Sequence, residues 1–153
     1  MLLFIAEWIE GFFKLNINDL EENEFSIGTD GLSSNNSLNM FDHDYTQRDI
    51  YLFDTHTKEM ERITSTDHDE TYPVWAHTKN VLFYTSDDQG VWNIVRHKIP
   101  SGEVQHITNV LTGIQQLSLS EDDKSLVFSG YNEGGWDIYS LSNPLESQVF
   151  DIE

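Results

Sequence analysis

The sequence predicts an all-β fold of repeated antiparallel sheets, because three different markers recur along the chain with a period of 44 residues. The markers are a triplet centred on an apolar residue, a tryptophan and an Ile-Thr pair, at Asp49-Ile50-Tyr51, Asn93-Ile94-Val95 and Asp137-Ile138-Tyr139, at Trp92 and Trp136, and at Ile63-Thr64 and Ile107-Thr108. A period in the low forties is typical of the four-stranded blades of a β-propeller. We therefore expect antiparallel four-stranded propeller blades.

Within one period, apolar and polar residues alternate as they do in strands that bury one face. The copy between residues 65 and 108 shows this pattern best. It predicts four strands, at Tyr72–Trp75, Val81–Thr85, Trp92–His97 and Glu103–Thr108. Turn-forming residues separate the strands, at His77–Asn80, Asp87–Gly90 and Pro100–Gly102.

The copies on either side have the same order of elements. The later copy predicts strands at Leu117–Leu119, Leu126–Phe128, Trp136–Leu141 and Gln148–Ile152. In the earlier copy, Leu32–Phe41 aligns without a gap on Leu119–Phe128, and Asp49–Asp54 and Met60–Thr64 are the expected third and fourth strands.

The first residues are harder to assign. Phe12–Asn18 and Asn23–Ile27 resemble the third and fourth strands of a still earlier blade, and Met1–Ala6 fits either its second strand or a short amphipathic helix. We expect one partial propeller over residues 1–153, with blades at 1–27 (partial), 28–64, 65–108 and 109–153. Three to four blades do not close a ring, because propellers have at least four complete ones.

Composition narrows the possible partners. The chain has 8 Lys+Arg against 27 Asp+Glu, which gives a net charge of −19. Such a surface repels phosphate backbones, so we expect no nucleic acid partner. Its acidic residues solvate the protein and favour basic partners or cations. There is no cysteine, which excludes disulfides, thiolate metal ligands and a cysteine nucleophile.

Membrane insertion is not expected. No stretch approaches the roughly 20 apolar residues that a spanning helix needs. The apolar segment at residues 1–15 has no basic start and contains Glu7 and Glu10, whereas a secretory signal begins with positive charge. We therefore expect no signal peptide in this sequence.

The blade pattern resembles the WD-like repeat of the TolB and tricorn-protease propellers. That repeat has a Trp-Ser-Pro-Asp-Gly turn, an apolar strand ending in Phe, an Asp-Ile-Tyr strand and a closing Leu-Thr. The turn corresponds to residues 75–79 and 119–123, without its Pro and Gly, and the strand ends correspond to Phe83 and Phe128. The Asp-Ile-Tyr and Ile-Thr markers complete the match, which covers residues 12–152.

The resemblance implies a periplasmic or cell-envelope location and a surface that docks a protein or a peptide. It also implies a ring of about six blades, so this chain corresponds to a part of one. Three hypotheses remain open: a non-enzymatic interaction module within a larger protein, a substrate-gating propeller of a larger serine peptidase, or a half-propeller that self-associates through open blade edges.

The sequence offers no catalytic constellation. There is no Gly-x-Ser-x-Gly nucleophile elbow, and no Ser, His and Asp spacing stands out. The acidic clusters Asp67-His68-Asp69-Glu70 and Asp42-His43-Asp44 could contact a divalent ion. Adjacent residues of one loop seldom converge on one ion, so we interpret them as solvated turns. We expect no catalytic residue, no cofactor and no metal ligand.

The remaining conspicuous residues have structural interpretations. Trp92 and Trp136 begin third strands in register, which suits packing between blades. Asp49 and Asp137 recur at strand starts, where an acid accepts hydrogen bonds from a neighbouring turn. The aromatic residues Trp75, Phe83 and Phe128 are predicted core positions.

Overall fold

A computed structural model describes residues 3–9, 12–15, 48–54 and 60–151, with side chains for residues 48–52 and 61–151. Within these residues the fold is all-β and consists of three antiparallel sheets. Each sheet forms mainly from strands that are close together in the chain, as expected for propeller blades.

The first sheet has four strands in the order β2-β1-β3-β4, namely β1 (Leu3–Ile9), β2 (Phe12–Leu15), β3 (Ile50–Asp54) and β4 (Met60–Arg62). The first residues are thus a strand and not a helix. Strand β1 pairs with β2 on one side and with β3 on the other. Phe12–Leu15 therefore lies at the edge of a sheet shared with β3 and β4, and not at the third-strand position that we expected. Asn23–Ile27 and Leu32–Phe41 lie outside the described residues, and the blade boundaries stay a prediction.

The second sheet matches its prediction most closely. It contains β5 (Glu70–Trp75), β6 (Val81–Ser86), β7 (Asn93–Lys98) and β8 (Glu103–His106), in chain order. Every residue of β6 is buried, and so are the first five of β7. A strand without an exposed face needs cover on both sides, which places this sheet between its two neighbours.

The third sheet contains β9 (Ile114–Leu119), β10 (Ser125–Asn132) and β11 (Gly135–Ser142), in the order β11-β10-β9. Of the strand predicted at Gln148–Ile152, the described residues 148–151 are not part of this sheet. The chain instead turns through a 3-10 helix at Pro144–Glu146 and crosses to the second sheet, where Phe150 forms a single bridge with His106. Among the described residues, β11 is therefore the outer strand of this sheet.

Two apolar clusters hold the sheets together. Between the second and third sheets, Phe83, Ile94, Ile114 and Leu126 are buried together. On the opposite face of the second sheet, a cluster joins that sheet to the first one. Its members are Leu82, Tyr84, Val95 and Ile50, with Ile63, Trp75 and Ile99 packed against them. The core thus lies between sheets, as it does when blades stack around an axis.

Residues that are 44 positions apart occupy equivalent places in the second and third sheets. Thr85 pairs with Ile94, and Ser129 pairs with Ile138. The match of Phe83 with Phe128 is therefore wrong by one residue, because Val127 occupies the position equivalent to Phe83. Among the expected core residues, Phe83 is fully buried, whereas Trp75 and Phe128 are partly buried against the clusters.

Candidate docking surface

The third sheet has an apolar face that no described residue covers. We call it the outer face and define it by four exposed side chains, Val127, Tyr131, Trp136 and Ile138. Directly paired residues of an antiparallel hairpin project to the same side, and Tyr131 pairs with Trp136. Their rings make an edge-to-face contact with centroids 5.5 Å apart. The opposite face carries Leu126, which is buried against the second sheet.

The equivalent face of the second sheet is covered. Phe83 and Ile94 are both 0% exposed there. Their counterparts 44 residues later, Val127 and Ile138, are 37% and 75% exposed. The equivalent positions of two successive units therefore differ in what lies against them. Exposed apolar patches of this kind mark interaction sites.

Within the described part of the chain, the edge of the third sheet is open as well. A two-residue loop, Glu133-Gly134, closes the β10–β11 hairpin, since Asn132 pairs with Gly135. Both loop residues have positive φ, 47° and 89°, as the tight hairpin turn requires. Hydrogen-bonded and non-hydrogen-bonded pairs then alternate along the hairpin. The N–H and C=O groups of Trp136, Ile138 and Ser140 therefore point away from β10.

The first two sheets close this position with the Ile-Thr pair. The N–H of Ile50 donates to Thr64 Oγ1 at 2.8 Å, and the C=O of Ile50 accepts from the N–H of Ile63 at 2.8 Å. In the second sheet, the N–H of Ile94 donates to Thr108 Oγ1 at 2.7 Å. The C=O of Ile94 accepts from the N–H of Ile107 at 2.9 Å. The recurring Ile-Thr pair thus closes the sheet edge by hydrogen-bonding to the outward N–H and C=O groups of Ile50 and Ile94.

In the third sheet, none of the described residues forms this closing pair. Asp151 and Ile152 stand 44 residues after Ile107 and Thr108. Among the described residues, Ile138 has no backbone hydrogen bond outside its hairpin. The period is evident in the sequence, but the prediction did not compare the closing pairs and so missed this difference.

The segment after β11 is held on the second sheet. Arg96 Nη1 donates to the carbonyl oxygens of Leu145 at 2.7 Å and Pro144 at 3.2 Å. Farther along, the N–H of Phe150 donates to the C=O of His106 at 3.0 Å. The described tail is therefore engaged at the outer edge of the preceding sheet and is not free to pair with β11.

A buried carboxylate joins the second and third sheets. Asp123 lies in the β9–β10 turn with φ of 57°, and its side chain is 2% exposed. It accepts hydrogen bonds from the N–H groups of His77 and Thr78, both at 2.8 Å, and from Thr78 Oγ1 at 2.5 Å. Burial alone would raise the pKa of Asp123, but these hydrogen bonds outweigh it and lower the pKa to about 2.

The acidic cluster at residues 67–70 does not converge on one point. Asp67 and His68 are exposed. Asp69 Oδ1 accepts from the N–H of Arg48 at 2.6 Å, whereas Glu70 Oε1 accepts from Thr66 Oγ1 at 2.6 Å. Within the described ranges, no group of three or more His, Cys, Asp or Glu residues has a geometry that could hold a metal ion. Asp42-His43-Asp44 lies outside those ranges.

Besides Asp123, the acids Asp49 and Glu70 are buried, and both have structural contacts. Burial raises the pKa of Glu70, against the hydrogen bond from Thr66, and also raises the pKa of Asp49, against the attraction of Arg62. Asp49 Oδ2 binds Arg62 Nη2 at 2.5 Å. In the structure, Asp49 is thus an acceptor with a structural contact. Asp137, by contrast, is exposed on β11.

Two open clefts have no feature that indicates a binding site as the outer face does. One of about 560 Å³ lies between the turns of the second sheet and contains His77, Lys79 and Lys98. Its charges are partly neutralised within the protein, since Lys98 pairs with Glu103 at 2.7 Å. The other, of about 500 Å³, lies along β8 and the tail.

In the described part of the chain we also find no helix with the length and apolar character that crossing a bilayer requires.

Comparison with known proteins agrees with this architecture. TolB from Acinetobacter baumannii superposes with a TM-score of 0.55 at 20% identity, over 67% of this chain and 26% of that one. A putative TolB from Agrobacterium tumefaciens superposes with a TM-score of 0.53 at 16% identity, over 69% of this chain and 51% of that one. The chain thus spans about a quarter and about a half of these two structures.

Sequence comparison adds no relative. No family model matches the chain, and no curated protein matches it. At these low identities the structural similarity concerns the fold alone. The antiparallel sheets and the superpositions together give the chain the fold of a partial TolB-like β-propeller.

Proposed function

We propose that the chain is a non-enzymatic interaction module that binds a protein or peptide on the outer face of its third sheet. The observation that carries this proposal is the exposure of Val127 and Ile138, at positions where the preceding sheet buries Phe83 and Ile94. Burying such side chains stabilises a complex by about 25 cal/mol per Å² of apolar surface, before the cost of association.

The cell envelope is the proposed location, and a larger protein is the proposed context. Both come from the resemblance of the repeat and from the fold that the chain shares with TolB structures. The surplus of acid supports a basic partner, because complementary charge speeds association and disfavours like-charged proteins. We propose no catalytic residue.

A peptide screen tests the interaction directly. Random peptides displayed on phage are selected against the immobilised chain, and the enriched peptides are then titrated by calorimetry. Ile138→Ser should weaken binding about tenfold or more, which is about 1.4 kcal/mol. Leu111→Ser is the matched control, because Leu111 is 88% exposed but lies off the outer face. Failure to enrich any peptide, or equal loss with both variants, would contradict the proposed surface.

Self-association of partial propellers is the second candidate, and the open edge of β11 favours it. An exposed, unpaired strand is a template for pairing with another chain. The net charge of −19 on each copy opposes it. Light scattering on a sizing column separates the two, since a dimer supports self-assembly and a monomer supports binding to a different partner.

A further inference from the structure

We propose that β11 accepts an extended strand of another polypeptide by strand addition, and that this strand carries an apolar-Thr pair flanked by basic side chains. This inference rests on the proposed function and deepens it. It states how the partner binds and what the partner is made of.

The backbone of β11 supplies the docking groups. The N–H and C=O groups of Trp136, Ile138 and Ser140 point to the open edge, because these residues occupy non-hydrogen-bonded pairs with β10. The N–H of Tyr131, which pairs with Trp136, agrees with this alternation, since it donates to the C=O of Gly113 on the far side. Six backbone groups in a row can therefore hydrogen-bond to an incoming strand.

The edge has few of the features that protect exposed strands. Natural edges are blunted by charged side chains, especially lysine, by proline, by bulges or by being very short. Strand β11 has eight residues, Gly135–Ser142, with one charged side chain, Asp137, no lysine, no proline and an unbroken pairing register. Ile138 and Trp136 are exposed along it, at 75% and 52%. An incoming strand would gain backbone bonds and apolar contacts together.

The first two sheets show which groups hydrogen-bond to the outward backbone groups at the position equivalent to Ile138. At Ile50 and at Ile94, the outward N–H donates to a threonine hydroxyl and the outward C=O accepts from the amide of the apolar residue before that threonine. Ile138 presents the same N–H and C=O groups 44 residues later. A partner strand with an apolar residue followed by threonine therefore completes the bonds that its own sheet does not make.

Neither the described tail nor a second copy fits this role. Arg96 and His106 hold the tail on the second sheet through Leu145 and Phe150. A second copy has Ile63-Thr64 and Ile107-Thr108, but both pairs already close its own sheets. Two copies would also bring together two net charges of −19. These contacts favour a different polypeptide.

Charge indicates that the incoming strand is basic. Residues 114–142 contain five acids and one lysine, namely Glu121, Asp122, Asp123, Glu133, Asp137 and Lys124. Lys124 lies 3.3 Å from Asp122, so these two charges offset each other, and Asp123 is buried. Glu121, Glu133 and Asp137 remain as exposed negative charges. Asp137 is exposed on β11 itself. Lysine or arginine beside the apolar-Thr pair would complement this surface.

A designed peptide tests the inference. The probe is the blocked peptide Gly-Lys-Val-Gln-Lys-Ile-Thr, which keeps the order of the closing strand at residues 102–108 with lysine in place of Glu103 and His106. It is titrated into the isotope-labelled chain and followed by NMR. We expect the amides of Trp136, Ile138 and Ser140 to shift and to exchange more slowly. Valine in place of the peptide's threonine should weaken binding about tenfold, and so should glutamate in place of its lysines.

A matched pair of variants then isolates the backbone. Ser140→Pro removes an outward N–H that does not bond to β10, and edge strands tolerate such a proline. Ser140→Ala removes the contact of the side chain with Ser125 but keeps the N–H. We expect at least about tenfold weaker binding with Ser140→Pro and less than about twofold with Ser140→Ala, while the β10 signals stay in place.

Different results would contradict the strand-addition model and the docking surface. Equal affinity for the threonine and valine peptides, or binding that Ser140→Pro leaves unchanged, would overturn strand addition. If phage-selected peptides still lose affinity with Ile138→Ser in that case, the outer face remains a docking surface and only the strand model fails. Failure of every peptide to bind would overturn both.

Discussion

The second and third sheets share the pairing register and the period of 44 residues, yet, among the residues that the structure describes, the second is closed and the third is open. In the second sheet, Phe83 and Ile94 are covered by a neighbouring sheet, and the Ile107-Thr108 pair takes the outward backbone groups of Ile94. In the third, Ile138 has neither kind of contact among the described residues. The two hairpins differ in loop length but share their pairing register, so the difference at this position comes from what lies beside each hairpin.

Forming a sheet and closing its edge depend on different residues of the repeat. Alternating apolar residues are enough to form a sheet, as β9–β11 show, but the closing pair decides whether the sheet ends there. Where Thr108 would recur, the sequence has Ile152. Isoleucine has no side-chain oxygen that could accept a hydrogen bond from the N–H of Ile138. A binding surface can thus arise by loss of a closing contact.

Truncating the equivalent side chains of the two sheets should produce the largest contrast. Phe83→Ala removes a fully buried ring and should lower the free energy of unfolding by about 3–5 kcal/mol, a large share of the roughly 5–15 kcal/mol of a typical domain. Val127→Ala, at the equivalent exposed position, should cost about 1 kcal/mol or less. Urea denaturation measures both, and similar losses would contradict the assigned register.

The closing hydroxyl should have the next largest effect. Thr108→Val leaves the buried N–H of Ile94 without its acceptor, which should cost about 1–3 kcal/mol of unfolding free energy. Thr108→Ser keeps the hydroxyl and should recover most of that loss. The same denaturation experiment compares them. If valine were as stable as serine, the Ile-Thr marker would not be a hydrogen-bonding device.

The contact between the two sheets should depend on pH. The pKa of Asp123 is lowered to about 2 in the folded protein, below the ordinary value of about 3.9 in the unfolded chain. A lowered carboxyl pKa contributes stability above about pH 4, and this contribution is lost as pH falls towards about 2.

Asp123→Asn should therefore lower stability at neutral pH by about 1–2 kcal/mol and flatten the acid part of the profile. Asp122→Asn is the matched control, because Asp122 is an exposed neighbour in the same turn. Stability is measured by denaturant titration between about pH 2 and pH 7. An unchanged acid limb in Asp123→Asn would show that this carboxylate does not join the sheets.

Much of the fold could be predicted because its information is local. Alternation and turn residues located the bounds of β5 to β8 within two residues, and the period of 44 linked them to β9, β10 and β11. The pairing of β1 with β3 could not be predicted, since it joins segments that are far apart in the chain. The Phe83 and Phe128 match was wrong because it relied on residue type, whereas the hairpin register decides which face a residue takes.

The candidate surface was only partly predictable. Open blade edges are expected from counting blades, because three to four blades do not close a ring. The identity of the open edge depended on Gln148–Ile152, which we expected beside β11. Arg96 draws that segment to the second sheet through bonds to Leu145 and Pro144. A contact between residues about 50 positions apart leaves no local pattern to read.

Amide hydrogen exchange tests the central claim most directly, because it reports whether each sheet is closed at the same position. In the monomeric chain without peptide, the amides of Ile50 and Ile94 should be protected by Thr64 and Thr108. The amide of Ile138 should exchange at nearly the rate of an unstructured residue, since it points to the open edge. Protection of Ile138 equal to that of Ile94 would contradict the open third sheet and the docking surface inferred from it.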